Sequence, residues 1–517
     1  MNDNSIDNKR IAKNTLFLYA RMGIMMVTSL FTSRVVLHVL GVEDFGIYNL
    51  IGGIVVLFSF LNASLLTGVQ RFLNYYLGKN DMMMAQRVFS MSVNIYLILV
   101  AVILILAETL GLWFMETQLS IPAARLQAAR YVYQFVVITF LIGMVRIPYN
   151  ASIIAYERME FYAYVSMIEV VIKLAVVYLL YITSFDKLIL YAFLYTLIPF
   201  FVTIVYYIYC KKNIEITHYT RFWDKGIFWN LFSFSGWSLF GSVANLSVQQ
   251  GINFLINIFY GVAVNAAAGI ANQVVGTVYQ FVSNFQTAFN PQIVKTYAAG
   301  QYENFQLLIC RASKFSYFLI LFIVLPLLLV MDSALSLWLV DVPEYTSIFC
   351  RLILLFFVID AVNAPLWMSV QATGDIRNYQ ILMSVLILLN IPFSYILLKW
   401  GFPVYYVWIV RIIFNIVTFI ARCWYMRVKM YFPIKQFINK VMCPVVLVTM
   451  AALPLPLLAY YSITGIYANF IITIFISLVS VAIATYTLGL TNHEREFVKM
   501  TLQNKFTLLN RINKRKE

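Results

Sequence analysis

The sequence predicts an all-α, polytopic membrane protein of about fourteen transmembrane helices, on three observations. Of its 517 residues, 62% are hydrophobic and only 11% charged, with a mean hydropathy of +0.81. A soluble domain of this size needs a far more charged exterior. Apolar runs long enough to cross a hydrocarbon core, about 20 residues as a helix, recur along the whole chain. The basic residues gather in alternate connections between those runs, as a fixed orientation in a membrane requires.

In order, the spans run approximately 14–40, 44–77, 88–112, 130–155, 159–182, 187–210, 226–260, 263–294, 312–331, 346–372, 379–398, 403–421, 441–460 and 465–490. The first two form a hairpin about the turn Gly41-Val42-Glu43-Asp44-Phe45-Gly46-Ile47-Tyr48. Its two glycines free the backbone to reverse, and Glu43 and Asp44 favour the start of the second helix through capping and the helix dipole. Lys9, Arg10 and Lys13 precede an apolar run too long for the core of a cleaved leader, which reads as a retained signal anchor. The even span count puts both termini on one side. With that side as the cytoplasm, inner segments hold twenty-six basic residues and outer segments only Arg125, Arg130, Lys187 and Lys399. The excess positive charge thus follows topology rather than pointing to nucleic acid. The tail Asn492–Glu517 reads as lying against anionic lipid.

Seven basic residues fall within spans, Arg21, Arg34, Arg71, Arg146, Lys173, Arg351 and Arg411, opposed by Glu108, Glu169 and Asp360. Charges inside a bilayer are costly and usually face a partner or a wet cavity. Arg34, Arg71 and Arg351 lie within two turns of a helix end, within snorkelling reach. Glu169 and Lys173, four apart with the acid first, are arranged to neutralise each other. Arg146 precedes Pro148, where the helix is open to distortion. Arg21 lies roughly 13 Å into its helix with no opposite charge on it and wants an anion. Asp360, near the middle of its span, precedes Asn363 and Pro365; that proline frees the carbonyl of Ala361, and a bend beside a buried carboxylate fits a cation or proton site as well as a helix-to-helix hydrogen bond.

Uncharged polar groups concentrate in the seventh and eighth spans. Asn245, Gln249 and Asn253 recur every four residues on one helical face, and Asn272, Gln273, Gln280 and Asn284 follow in the next span with Tyr279. So many amides fit a wet, sugar-contacting cavity better than helix packing alone. Walker A, GxSxG and HExxH signatures are absent, His38, His218 and His493 are scattered, and the outer loops are too short for an enzymatic domain. No metal site, cofactor or catalytic group is expected. The five cysteines, without metal or disulfide spacing, read as free thiols.

A faint internal repeat relates Gly41-Val42 to Gly261-Val262, offset 220, and Gln70, Tyr75 and Gly78 to Gln292, Tyr297 and Gly300, offset 222. Repeated lobes about a central site are a common transporter plan. The expected divisions are an N-terminal lobe 1–210, a C-terminal lobe 211–430, two further helices over 431–490 and a basic cytoplasmic tail 491–517.

The stretch Leu40-Gly41-Val42-Glu43-Asp44-Phe45-Gly46-Ile47-Tyr48, with Gln70-Arg71-Phe72 and Leu77-Gly78-Lys79, resembles the bacterial polysaccharide transporters, the O-antigen flippase (Wzx-like) branch of the superfamily that also holds MATE exporters and the lipid II flippase. The resemblance implies two six-helix lobes in a MATE-like V. It also implies translocation of an undecaprenyl-diphosphate-linked oligosaccharide from the cytoplasmic to the periplasmic leaflet of the bacterial inner membrane. Arg21, Arg71, Arg146 and Lys173 would then meet the diphosphate, because guanidinium suits phosphate. Asn245, Gln249, Asn253, Asn272, Gln273, Gln280 and Asn284 would meet the glycan, and Asp360 or Glu169 would carry a coupling H+ or Na+. Implied partners are the lipid-linked substrate, membrane lipids, and a polysaccharide polymerase with its assembly proteins. The alternatives are a MATE-like exporter of organic cations and a lipid II-type flippase.

Overall fold

The computed structural model describes the chain from residue 17 to 499, discontinuously before residue 59 and without residues 119–121, 182–184, 340–341, 493 and 497–498. Arg34, Val42, Glu43, Phe45, the basic N-terminus and most of the tail lie outside the described residues. Those described in the first expected hairpin are helical. Thereafter the helices are α1 (Ser59–Gly78), α2 (Met82–Thr117), α3 (Ala123–Ala155), α4 (Met159–Leu179) and α5 (Lys187–Asn213). The segment Lys225–Ala298 is broken at Gly261 into α6 (225–260) and α7 (262–298). Then come α8 (Tyr302–Trp338), α9 (Thr346–Thr373), α10 (Arg377–Lys399), α11 (Tyr406–Met430), α12 (Ile434–Ser462) and α13 (Tyr467–Gly489). Ten of these are by themselves long and apolar enough to cross a membrane.

Local chemistry sets the ends. The carboxylates of Asp81, Asp186 and Asp224 accept from free backbone amides at the starts of α2, α5 and α6. Both α2 and α8 outrun the apolar runs at 88–112 and 312–331, because a polar residue interrupts hydropathy without interrupting a helix. Gly41 and Gly261, 220 residues apart, have φ of +78° and +79°, a conformation that favours glycine, whereas Gly46, expected to share the reversal with Gly41, has no positive φ and is helical. The repeat holds that register: α1 ends at Gly78 and α7 at Ala298, α2 begins at Met82 and α8 at Tyr302, and the left-handed residues between them are Asn80 and Gly300. The Gln, Tyr and Gly matches at offset 222 are therefore two residues out of step. Helix ends define the equivalence, and recurring side chains in so biased a composition do not.

Two compact units divide the chain. The first comprises Met1–Val248, Ser283–Leu308 and Trp367–Leu388. Its core lies where α3 packs along α5, with α1 and α2 against α3. Buried Ala129, Ala151, Ala155 and Ala192 let backbones approach, and Phe89, Tyr133 and Met144 fill the space between. Tyr133 also donates to the carbonyl of Ala107, where α2 widens into a π turn. The second unit comprises Gln249–Val282, Ile309–Leu366 and Leu389–Glu517, in which α12 packs on α13 and α10 on α11.

Candidate functional site

Within the first unit, four of the predicted intramembrane charges come together. Lys173 Nζ lies 2.7 Å from Glu169 one helical turn away on α4, and Arg146 of α3 reaches the other oxygen of the same carboxylate at 3.4 Å. Arg21 stacks over the ring of Tyr162, 4.5 Å from its centroid, and Arg146 over Tyr206 at 5.4 Å. The Tyr206 hydroxyl feels the charges of Arg146, Glu169 and Arg21 together. Among the described residues, the grouping holds three cations and the Glu169 carboxylate, with Arg146 and Lys173 on that carboxylate and Arg21 over the Tyr162 ring. Glu169 serves both Arg146 and Lys173, and the Arg21 Nε is buried without a hydrogen-bond partner. Arg21 as a whole is half-buried, and a cation so placed without a counter-charge favours an anion beside it.

Arg71, the fourth cation predicted to meet a diphosphate, stands elsewhere in the same unit. Its rings are Phe72, Tyr75 and Phe234, at 4.6, 4.8 and 5.6 Å, and it donates through one terminal nitrogen to the carbonyl of Ala372 at 2.9 Å. It shares none of these partners with Arg21, and it does not snorkel, being only 4% exposed. A cavity of about 290 Å³ opens beside it.

Asp360, in the second unit, accepts from the Tyr279 hydroxyl at 3.3 Å and lies in the field of Arg422 and Arg411. The turn of α9 before Pro365 is held by three bonds: Ser313 donates to the carbonyl of Val362, Arg422 to that of Asn363, and the amide of Asn363 to Asn415. The carbonyls taken are thus those after Ala361. Arg411 lies over Phe356 and Trp408. The amides are divided. Asn245 and Asn284 belong to the first unit, and Gln249, Asn253, Asn272, Gln273 and Gln280 to the second. Asn245 and Asn272 donate back to carbonyls of their own helix, Asn253 meets Gln250, and Asn284 faces the sulfur of Met22.

Two charged groupings escaped the sequence reading. Glu157, in the turn after α3, has a side chain 1% exposed that receives Lys295 Nζ at 2.6 Å and the Gln292 amide at 2.9 Å on each oxygen. The available signal was an isolated acid on the side where basic residues prevail. Arg125, read only as an outer charge, grips both Asp44 and Asp186.

Residues 238–396 match the MatE family model. Among solved structures, the fold resembles an outward-facing multidrug resistance MATE family transporter of the MOP superfamily, with TM-score 0.70, 15% identity and coverage of 82% of this chain and 96% of that one. It also resembles MATE in complex with MaD3S, with TM-score 0.69, 16% identity and coverage of 82% and 96%. A third likeness is to a MOP superfamily transporter from Pyrococcus furiosus described by the reverse polarity of its binding pocket, with TM-score 0.67, 15% identity and coverage of 81% and 96%. No curated protein matches the sequence. Together these findings show the fold of MATE-type transporters, with the family match confined to residues 238–396. The chain is a multi-pass membrane protein with the MATE fold.

Proposed function

We propose that this transporter is a flippase that carries an undecaprenyl-diphosphate-linked oligosaccharide from the cytoplasmic to the periplasmic leaflet of a bacterial inner membrane by alternating access. The observation that carries the proposal is the cluster of Arg21, Arg146 and Lys173 around the single carboxylate of Glu169, which leaves net positive charge in a low-dielectric setting. A diphosphate satisfies such a cluster and an organic cation does not. The positive-inside asymmetry supports cytoplasmic termini, and the repeat supports lobes 1–210 and 211–430 as the moving bodies, with 431–490 appended. Amides from Asn245 to Asn284 supply hydrogen bonds suited to sugars. Asp360, faced by the Tyr279 hydroxyl, is the proposed place for exchange of a coupling H+ or Na+, with Glu169 as counter-charge to its two cations.

The likeness to a multidrug resistance transporter favours a second reading, cation export. The likeness to a MOP superfamily transporter described by the reverse polarity of its binding pocket supports the flippase reading beside it. One experiment separates the readings: delete the gene, extract inner-membrane lipids and analyse them by mass spectrometry, then complement with wild type or Arg21→Ala. A diphosphate-linked oligosaccharide is expected to accumulate, with surface glycan restored by wild type and not by R21A. Unchanged glycolipids with new sensitivity to cationic drugs would replace the proposal by the exporter.

A further inference from the structure

The first unit contains two helix-end contacts built on the same plan. In each, a long helix stops at a left-handed residue, and the turn that follows receives a cation from the last turns of another helix. α3 stops at Glu157, φ +58°, whose amide bonds the carbonyl three residues back. α9 stops in the same way at Gly374, φ +85°. The cation reaching the first turn is Lys295, three residues from the end of α7, and it finds the Glu157 carboxylate. The cation reaching the second is Arg71, seven residues from the end of α1, and it finds only the carbonyl of Ala372. A side chain at Gly374 would collide with its guanidinium. The neighbouring carboxylate, Asp375, is exposed, and among the described residues no carboxylate lies within ion-pair distance of Arg71. Its Nε is buried with no hydrogen-bond partner.

We propose that the cavity beside Arg71 binds a phosphoryl group, which stands where Glu157 stands in the other turn. The chemistry fits: a guanidinium has donors to spare for a tetrahedral anion and holds it in a paired geometry that a single carbonyl does not use up. Arg377 on the cavity wall adds a second positive charge against the single wall carboxylate, exposed Asp375; Asn230 and Ser233 add neutral hydrogen-bonding groups, and Trp237 and Tyr75 add aromatic surface for the group that the phosphate carries. The volume of about 290 Å³ suits a phosphate or diphosphate with part of its ester. The site is separate from the Arg21 cluster, with which Arg71 shares no partner. It rests on the flippase reading only for one of two sources, a prenyl diphosphate headgroup; the other is a free phosphate.

The test is calorimetric titration of the full-length protein in lipid nanodiscs with inorganic diphosphate and, separately, with geranylgeranyl diphosphate. Wild type is expected to bind, and Arg71→Gln to lose at least about tenfold in affinity for whichever probe binds. Ser233→Glu, at an exposed position on the wall, brings a carboxylate to Arg71 without removing it and is expected to abolish binding while keeping or raising the unfolding temperature. That second variant keeps the test decisive if R71Q misfolds. Tighter binding of the prenyl probe by about tenfold or more assigns the site to a lipid headgroup, and equal binding assigns it to a free phosphate. Wild type binding neither probe at about millimolar concentration, or both variants binding as wild type does, overturns the site. Loss of this site with lipid-linked oligosaccharide still accumulating in the deletion strain would leave the flippase reading intact. Arg71-dependent binding without that accumulation would leave the site and remove the reading.

Discussion

The turns after α3 and α9 pose the same electrostatic problem and solve it differently. Each brings a cation from a distant helix against the end of another helix, where carbonyls are in surplus. At Glu157 the chain supplies a carboxylate of its own, and two further donated bonds from Gln292 complete it. At Gly374 it supplies a backbone carbonyl and a space. The difference teaches that a buried charge is read by its missing partner. A closed pair holds a structure together, and an open one is a place for something to bind.

The comparison breaks most readily at the closed pair. Glu157→Gln leaves half-buried Lys295 without the Glu157 carboxylate, and a loss of about 3 kcal/mol is expected, read as reduced resistance to denaturant in detergent. Adding Lys295→Met to that variant should recover most of the loss, since it removes the uncompensated charge while the introduced glutamine keeps an acceptor for the Gln292 amide. A smaller effect is expected at the open turn. Arg71→Met removes one neutral-acceptor hydrogen bond and ring contacts but also an unneutralised buried cation, so stability should change by no more than about 1 kcal/mol in either direction. A loss as large as that of E157Q would mean that Arg71 is already paired. The smallest effect belongs to Asp375→Asn, expected within about 0.5 kcal/mol because the carboxylate is exposed and bound to neither arginine. A larger change would make Asp375 the partner that the geometry does not show.

The legible part of the site was the local part. Glu169 and Lys173 sit four apart on one helix, and their pairing follows from helical geometry alone. The approach of Arg146 to the same carboxylate from α3 needed the packing of α3 beside α4. Arg71 illustrates the opposite case. Its position near a helix end made snorkelling the expected behaviour, yet aromatic rings and a second helix end enclose it. The Arg422 bond to the helix turn after Asp360 joins residues 59 apart in sequence, and the Glu157 contacts join residues more than 130 apart. Neither carries any periodic mark.

The polytopic helical class, the spans from Met82 onward and the turn at Gly41 were legible in the sequence alone, because each follows from bilayer thickness, local hydropathy or the backbone freedom of one residue. The sequence also singled out Arg21, Arg71, Arg146, Glu169, Lys173 and Asp360 as charges in need of partners, while buried Arg422 and Lys314 went unmarked. Only the tertiary structure decided which of them are neutralised within the chain and which are left open. Pairing is a matter of ångströms between helices distant in sequence, and at that range the low-dielectric interior makes the difference between a partner and none decisive.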